Sequence, residues 1–206
     1  WEALSLGVRS LAFSANAQAL KESERIGGAS LTLSLAGSLL VGTAGFLLLP
    51  AGAAHLLQGL LGLSPFTANL VEGGLRLGLL IGYIASIGRV PEIRRVFGYH
   101  AAEHMTIHAF EAGDELNAAQ VARHPKEHPR CGTAFLLTLA LLSVVLFAAL
   151  GPMSLGARLV TRLLAIPLLA SIAYEYVRLT ARLMEAWLGG ILIWPNLALQ
   201  RLTTRP

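Results

Sequence analysis

Apolar positions run through this chain in four long blocks separated by short polar or basic segments. The blocks are 29–49 (ASLTLSLAGSLLVGTAGFLLL), closed by Pro50, then 67–88 (TANLVEGGLRLGLLIGYIASIG), 133–150 (TAFLLTLALLSVVLFAAL) and 157–179 (ARLVTRLLAIPLLASIAYEYVRL). A helix that crosses a bilayer needs about 20 mainly apolar residues, so each block predicts a membrane span. A shorter block, 53–63 (AAHLLQGLLGL), is too short to cross and reads as interfacial or re-entrant. Another, 186–199 (AWLGGILIWPNLAL), is interrupted by Gly189, Gly190 and Pro195 and is expected to lie on the membrane or pack into the bundle. At the start, Leu4, Val8, Leu11 and Ala15 recur at helical steps, which predicts an amphipathic helix over 1–20 with Trp1 and Phe13 as interfacial anchors. KESERIGG (21–28) follows as a polar turn. The expected fold is all-α: a polytopic membrane helix bundle of about four transmembrane helices, an N-terminal amphipathic helix and a C-terminal interfacial segment. No repeat or linker interrupts it, so residues 1–206 form a single integral membrane domain.

Composition supports a membrane protein. Of 206 residues, 54% are hydrophobic and only 14% charged, against about 25% charged in soluble domains. The net charge of +4 is not gathered into a stripe, which argues against nucleic acid. It alternates between loops instead. Arg9, Lys21 and Arg25 precede the first span, and no Lys or Arg separates the first two. Arg89, Arg94, Arg95, Arg123, Lys126 and Arg130 lie between spans two and three, and Arg178, Arg182, Arg201 and Arg205 follow the fourth. Only Arg158 and Arg162, just inside span four, break the alternation. By the positive-inside rule, both termini and the loop 89–132 face the cytoplasm of a multi-pass inner (plasma) membrane protein in contact with lipid. The Gly-rich first span and GGLRLG would permit homo-oligomer contacts. One cysteine excludes an internal disulfide. The chain starts at Trp1 without a visible signal peptide, and trimmed ends are expected.

The loop 89–132 concentrates the chemistry. PEIRRVFGYHAAEHMTIHAFEAG opens with Pro91, suited to a first helical turn, and ends at Gly113, suited to a C-cap. In the helix so predicted, His100, His104, His108 and Glu111 share one face, with Glu103 on its flank. Two imidazoles four residues apart can grip one metal ion, and His100-Ala101-Ala102-Glu103-His104 is the inverted zinc pattern H-x-x-E-H. Glu103 is then the candidate catalytic residue, a general base toward water at the metal. The competing reading is a solvated, His-rich helix. A second cluster, RHPKEHPRCGT (123–133), brings His128 and Cys131 within reach of one ion across a turn; alternatively Cys131 packs as a small hydrophobe. Arg130 is a candidate for a substrate anion or a lipid phosphate, and His124 is expected in solvent.

YHAAEHMTIHAFE followed by HPRCGTAFLL resembles the YqhQ-like bacterial membrane proteins, the domain of unknown function 1385. SLGVRSLAFSAN, YEYVRL and LALQRLTTRP extend the resemblance over nearly the whole chain. It implies a predicted metal-dependent enzyme with no assigned substrate. Matching positions are His100, Glu103, His104, Glu111, His128, Arg130, Cys131 and Thr133, while Met105 stands where the family commonly has lysine and Ala101 where it has glycine. Thr133 and Arg130 are carried over as residues around the ligands or the substrate. Glu175, beside Tyr174 and Tyr176, also matches and is expected as a hydrogen-bond partner of a ligand histidine, or else in a pair with Arg178 or Arg182.

In span two, Glu72 and Arg76 lie four apart and read as a structural ion pair. Pro167 is expected to kink span four. Three functions are weighed. The first is a zinc hydrolase at the cytoplasmic membrane surface, acting on an unknown substrate, with metal ligands drawn from His100, His104, His108, Glu111, His128 and Cys131. The second is a structural zinc clamp in a membrane scaffold, which a full set of four protein ligands would favour. The third, a transporter, rests only on the charges in span two.

Overall fold

A computed structural model describes residues 2–17, 28–183 and 187–205. All described secondary structure is helical. The chain divides into two units, Trp1–Gly45 and Phe46–Pro206. The first holds α1 (Glu2–Ala17), the amphipathic helix the apolar spacing predicts, and α2 (Gly28–Thr43). Apart from Gly28, the polar turn expected at 21–28 falls outside the described residues.

Pro50 does not close the first span. A π-helical turn, Ala44–Leu48, leads into α3 (Leu49–Leu61), and helical structure ends only at Gly62, whose φ of 62° makes a left-handed cap. Residues 53–61 of the segment 53–63 are therefore the last part of a helical run, Gly28–Leu61, and not a separate interfacial piece. Proline has no N–H to give the carbonyl four residues back, which here is that of Phe46. Arg76 Nε donates to the Phe46 carbonyl instead, at 3.2 Å. In an apolar surround such a substitute partner is what makes a helix-internal proline tolerable.

The second unit is built on α4 (Pro65–Ile87), capped at its start by Ser64 Oγ accepting from Thr67 N. It packs on α3 and on α7 (Gly132–Ala148), which also meets α9 (Ile166–Arg182) and α10 (Trp187–Thr203). Gly73 allows the α4–α7 approach: a Cβ there would lie 2.6 Å from Val144 Cγ2. The small-residue stretch GGLRLG thus serves a contact within the chain. Ile84, Leu137 and Leu199 form a buried core against Leu77, Leu80, Phe97 and Leu202. α8 (Leu155–Leu164) and α9 are bent by 44° at the break before Pro167, as the proline predicts.

The last helix takes the second of its two expected placements, without the expected interruption. Neither the Gly189–Gly190 pair nor Pro195 breaks α10, which packs into the bundle. Side-chain bonds hold it there. Asn196 Nδ2 donates to Thr138 Oγ1 of α7 at 3.1 Å, and Tyr176 Oη of α9 donates to the Leu192 carbonyl at 3.0 Å.

Two helical runs, Gly28–Leu61 and Pro65–Ile87, are long and apolar enough to cross a membrane, and the bent α8–α9 pair would make a third. The predicted third block forms α7, whose 17 residues measure about 26 Å at 1.5 Å each, somewhat under a hydrocarbon core of about 30 Å. The fold is an all-helical bundle with two to three apolar helices that could span a bilayer.

Candidate metal centre

The histidine helix forms where its caps predict. α5 (Pro91–Ala112) starts after an extended Val90 with Pro91 in its first turn. It ends at Gly113, whose φ of 76° permits the left-handed cap. α6 (Ala118–Val121) and a proline-rich turn then lead back to α7.

That turn is fixed by a buried glutamine. Gln200 Nε2 donates to the His128 carbonyl at 2.9 Å, and Gln200 Oε1 accepts from His128 N at 2.8 Å. This amide pair fastens residue 128 to α10 and lays the turn along α5. Lys126 and Glu127 then present their carbonyls to the histidine helix. His104 Nδ1 donates to Lys126 O at 2.6 Å, and His108 Nε2 donates to Glu127 O at 2.9 Å. From the other side His100 Nδ1 donates to Thr203 O at 3.1 Å.

A carbonyl can only accept, so these bonds settle the ring tautomers. His100 and His104 each commit the Nδ1 proton to the backbone, which leaves Nε2 of each as an acceptor, and that of His100 faces the Cys131 thiol. Cys131 supplies the third donor. It is the N-cap of α7, where its Sγ accepts from Thr133 N at 3.4 Å and lies 3.2 Å from Thr133 Oγ1. His100 Nε2 stands 3.1 Å from Cys131 Sγ. The donor atoms of His100, His104 and Cys131 all lie within 4.8 Å of one another; ligands of a tetrahedral zinc stand about 3.3–3.7 Å apart. His104 and Cys131 are buried and His100 half-buried. Two imidazole lone pairs, oriented through their opposite nitrogens, and a thiol at a helix N-terminus form a donor set that fits zinc.

A second triad adjoins the first. The donor atoms of His108, Glu111 and His128 also fall within 4.8 Å of one another, and the His104 and His128 ring centroids are 5.7 Å apart. The six ligand candidates thus fall into two sets of three. His128 has a distinct role in its set. Its Nδ1 accepts from Arg130 N at 3.3 Å, so in the neutral ring the proton sits on Nε2. That buried nitrogen has no hydrogen-bond partner and lies 3.7 Å from Glu111 Oε2. As held, the ring offers a proton toward Glu111 rather than a lone pair to a metal. Glu111 also pairs with the Arg130 guanidinium.

Above the first triad opens a cavity of about 410 Å³, lined by both its histidines, Cys131, Glu103, Glu111, His128 and Arg130. A neighbouring cleft of about 580 Å³ is bordered by Arg130, Tyr174, Arg178 and Arg182. Glu175 borders neither cavity. It is exposed and pairs with Arg178 at 3.6 Å, one turn along the outer face of α9, so the ion pair and not the histidine contact is realised. His124 is half-buried and pairs with Asp114 at 2.9 Å. Gln200 and Thr203 carry no motif of their own; their only signal in the sequence is a glutamine and a threonine pair within LALQRLTTRP.

Burial holds the His104 imidazole below its ordinary pKa, against the opposing bond to the Lys126 carbonyl. Burial likewise lowers His128, aided by nearby His108. In metal-free protein both rings therefore stay neutral at a pH where the unfolded chain already takes up protons. Stability is full above about pH 6.5, the ordinary histidine value, and declines as pH falls through the lowered folded values. The melting temperature of chelator-treated protein is expected to drop as pH falls from about 6.5 to about 5, less steeply in His128→Asn.

The family described as "Protein of unknown function (DUF1385)" matches residues 1–206. The chain belongs to that family. A curated relative, the "Uncharacterized protein YqhQ" of Bacillus subtilis (strain 168), is 31% identical over 218 residues, covering 99% of this chain and 68% of the relative. No solved structure matches. In this DUF1385 member, the histidine helix and the HPRCGT turn, separate in sequence, meet through the clamp from α10.

Proposed function

We propose that the chain is a membrane-bound, metal-dependent hydrolase whose zinc is held by His100, His104 and Cys131. The observation that carries this reading is the convergence of those three donors within 4.8 Å beneath a cavity, with both Nδ1 protons already committed to backbone carbonyls. Bound there, the metal would supply Lewis acidity at a position open to the cavity. The residues of the chain supply the rest. Glu103, on the same cavity wall, takes a proton from water. That proton passes from Glu103 to the leaving group, while the Nε2–H of His128 donates a hydrogen bond to the negative charge developing on the substrate. Arg130 holds a negatively charged part of the substrate while Glu111 orients it. The substrate is a hydrolysable ester, amide or phosphoester that reaches the membrane surface.

The same proposal sets the chain in an inner membrane with four crossings, α7 included, and both termini and the metal centre on the cytoplasmic side. The alternation of Arg and Lys between loops supports that orientation. It also explains why the cavity, at the end of α4 that leads into α5, is open to interfacial substrates. A structural clamp would need a fourth protein ligand, and the described donors gather in threes.

Glu103→Gln tests catalysis apart from binding. The variant is expected to keep its zinc and melt like the wild type, yet lose about 10²–10⁴-fold in zinc-dependent hydrolysis. The assay would present a panel of ester, amide and phosphoester substrates in mixed micelles. Unchanged turnover in the variant would remove Glu103 from the mechanism.

A further inference from the structure

At the opposite end of α4 from the histidines, the bundle buries a second group of charges. Glu72 accepts from Arg162 through both carboxylate oxygens, each at 2.9 Å, and from Arg76 Nη2 at 2.8 Å. Arg158 Nη1 stands 3.9 Å from the same carboxylate. Three guanidiniums therefore face one carboxylate, an excess of two positive charges. The four side chains are 1–7% exposed. Arg158 and Arg162 are the two cations that break the loop-charge alternation; they lie here because they are buried, not because they mark a membrane face.

Neutral partners absorb part of this charge. Asn69 Oδ1 accepts from Arg162, Ser143 Oγ from Arg76 and Gln58 Oε1 from Arg158, at 2.7–3.0 Å. The Phe147 ring lies 4.1 Å from the Arg162 guanidinium carbon. Two nitrogens remain unsatisfied: Nη1 of Arg158 and Nη1 of Arg162 are buried without a hydrogen-bond partner. Arginine does not shed its proton in proteins, so the excess cannot be relieved by titration. An uncompensated buried charge is retained only where something pairs with it.

We infer that this cluster, with the free Nη1 groups of Arg158 and Arg162, is a binding site for a phosphate group. Guanidiniums match phosphate oxygens in geometry and charge, and a doubly charged phosphate cancels the excess. Arg162 and Arg158 lie one turn apart on α8, beside the α7–α8 connection, where Asn69 Nδ2 holds the Leu150 carbonyl at 3.0 Å. The phosphate arrives from that end of the bundle, either as a free ion or as the headgroup of an anionic lipid.

The test uses the full chain in a nonionic detergent at constant ionic strength, with inorganic phosphate as one probe and phosphatidylglycerol as the other. One of them is expected to raise the melting temperature of the wild type over a chloride control. Arg158→Gln, which leaves the Arg162–Glu72 pair intact, is expected to raise the half-saturating concentration at least tenfold. A response to inorganic phosphate assigns a soluble oxyanion; a response to phosphatidylglycerol alone assigns a headgroup. Should Arg158→Gln not fold, Arg158→Lys decides: it keeps the charge but loses the guanidinium fork, and is expected to raise the half-saturating concentration of the effective probe. No stabilisation by either probe, or an unshifted response in a folded Arg158→Gln or Arg158→Lys, would overturn the site.

Discussion

Glu72→Gln is expected to destabilise the protein by about 3–5 kcal/mol, the range for removing one partner of a buried ion pair. Its carboxylate receives three charge-assisted hydrogen bonds from Arg162 and Arg76. The amide keeps the shape but not the charge, and three guanidiniums are left in a buried pocket with only neutral partners. The damage spreads further. Arg76 also holds the Phe46 carbonyl that Pro50 leaves without a donor, so loosening Arg76 weakens the helical run at its proline as well. Glu175→Gln is the control, since that carboxylate is 66% exposed beside Arg178 and surface pairs contribute about 0–1 kcal/mol. Thermal unfolding of the detergent-solubilised variants measures both. A Glu72→Gln protein as stable as Glu175→Gln would mean that the cluster is solvated and its bonds dispensable.

The contrast between those two glutamates shows what the sequence can and cannot reveal. Both sit in apolar blocks beside arginines of the same helix. Glu72 and Arg76 were legible as a pair because four residues is a helical step, but Arg162 joins them from 90 positions away. Helical periodicity carries no information on which faces meet across a bundle. The same limit governs the metal centre. Spacing placed His100, His104, His108 and Glu111 on one face, and the caps at Pro91 and Gly113 set the ends of the helix. It could not sort them into two triads, because that depends on where the turn 124–131 lies, and Gln200 sets that from α10. Pro50 and Pro195 misled for a related reason. Proline ends a helix when the freed carbonyl has no other donor, and at Pro50 the donor is a side chain on α4 that no local reading reveals.

His104→Ala is expected to strip the metal, with zinc in the purified protein falling from about one per chain to none. Affinity should fall by more than the 10–100-fold typical of losing an outer hydrogen-bond partner, because a ligand itself is gone and its neighbour Cys131 is left with one imidazole. The buried ring also anchors Lys126 through its carbonyl, so its removal frees one end of the turn that carries Cys131. His108→Ala separates the two triads. Its ring lies in the second set, bonded to Glu127, and that variant is expected to retain its zinc. If metal is lost equally from both, the two triads share one ion. If it is absent from wild type and variants alike even after zinc is added, His100, His104 and Cys131 are held together by hydrogen bonds alone, and the hydrolase reading falls with them. Retention in His108→Ala with loss in His104→Ala would instead fix the metal beside Cys131, with Glu111, His128 and Arg130 free to handle substrate.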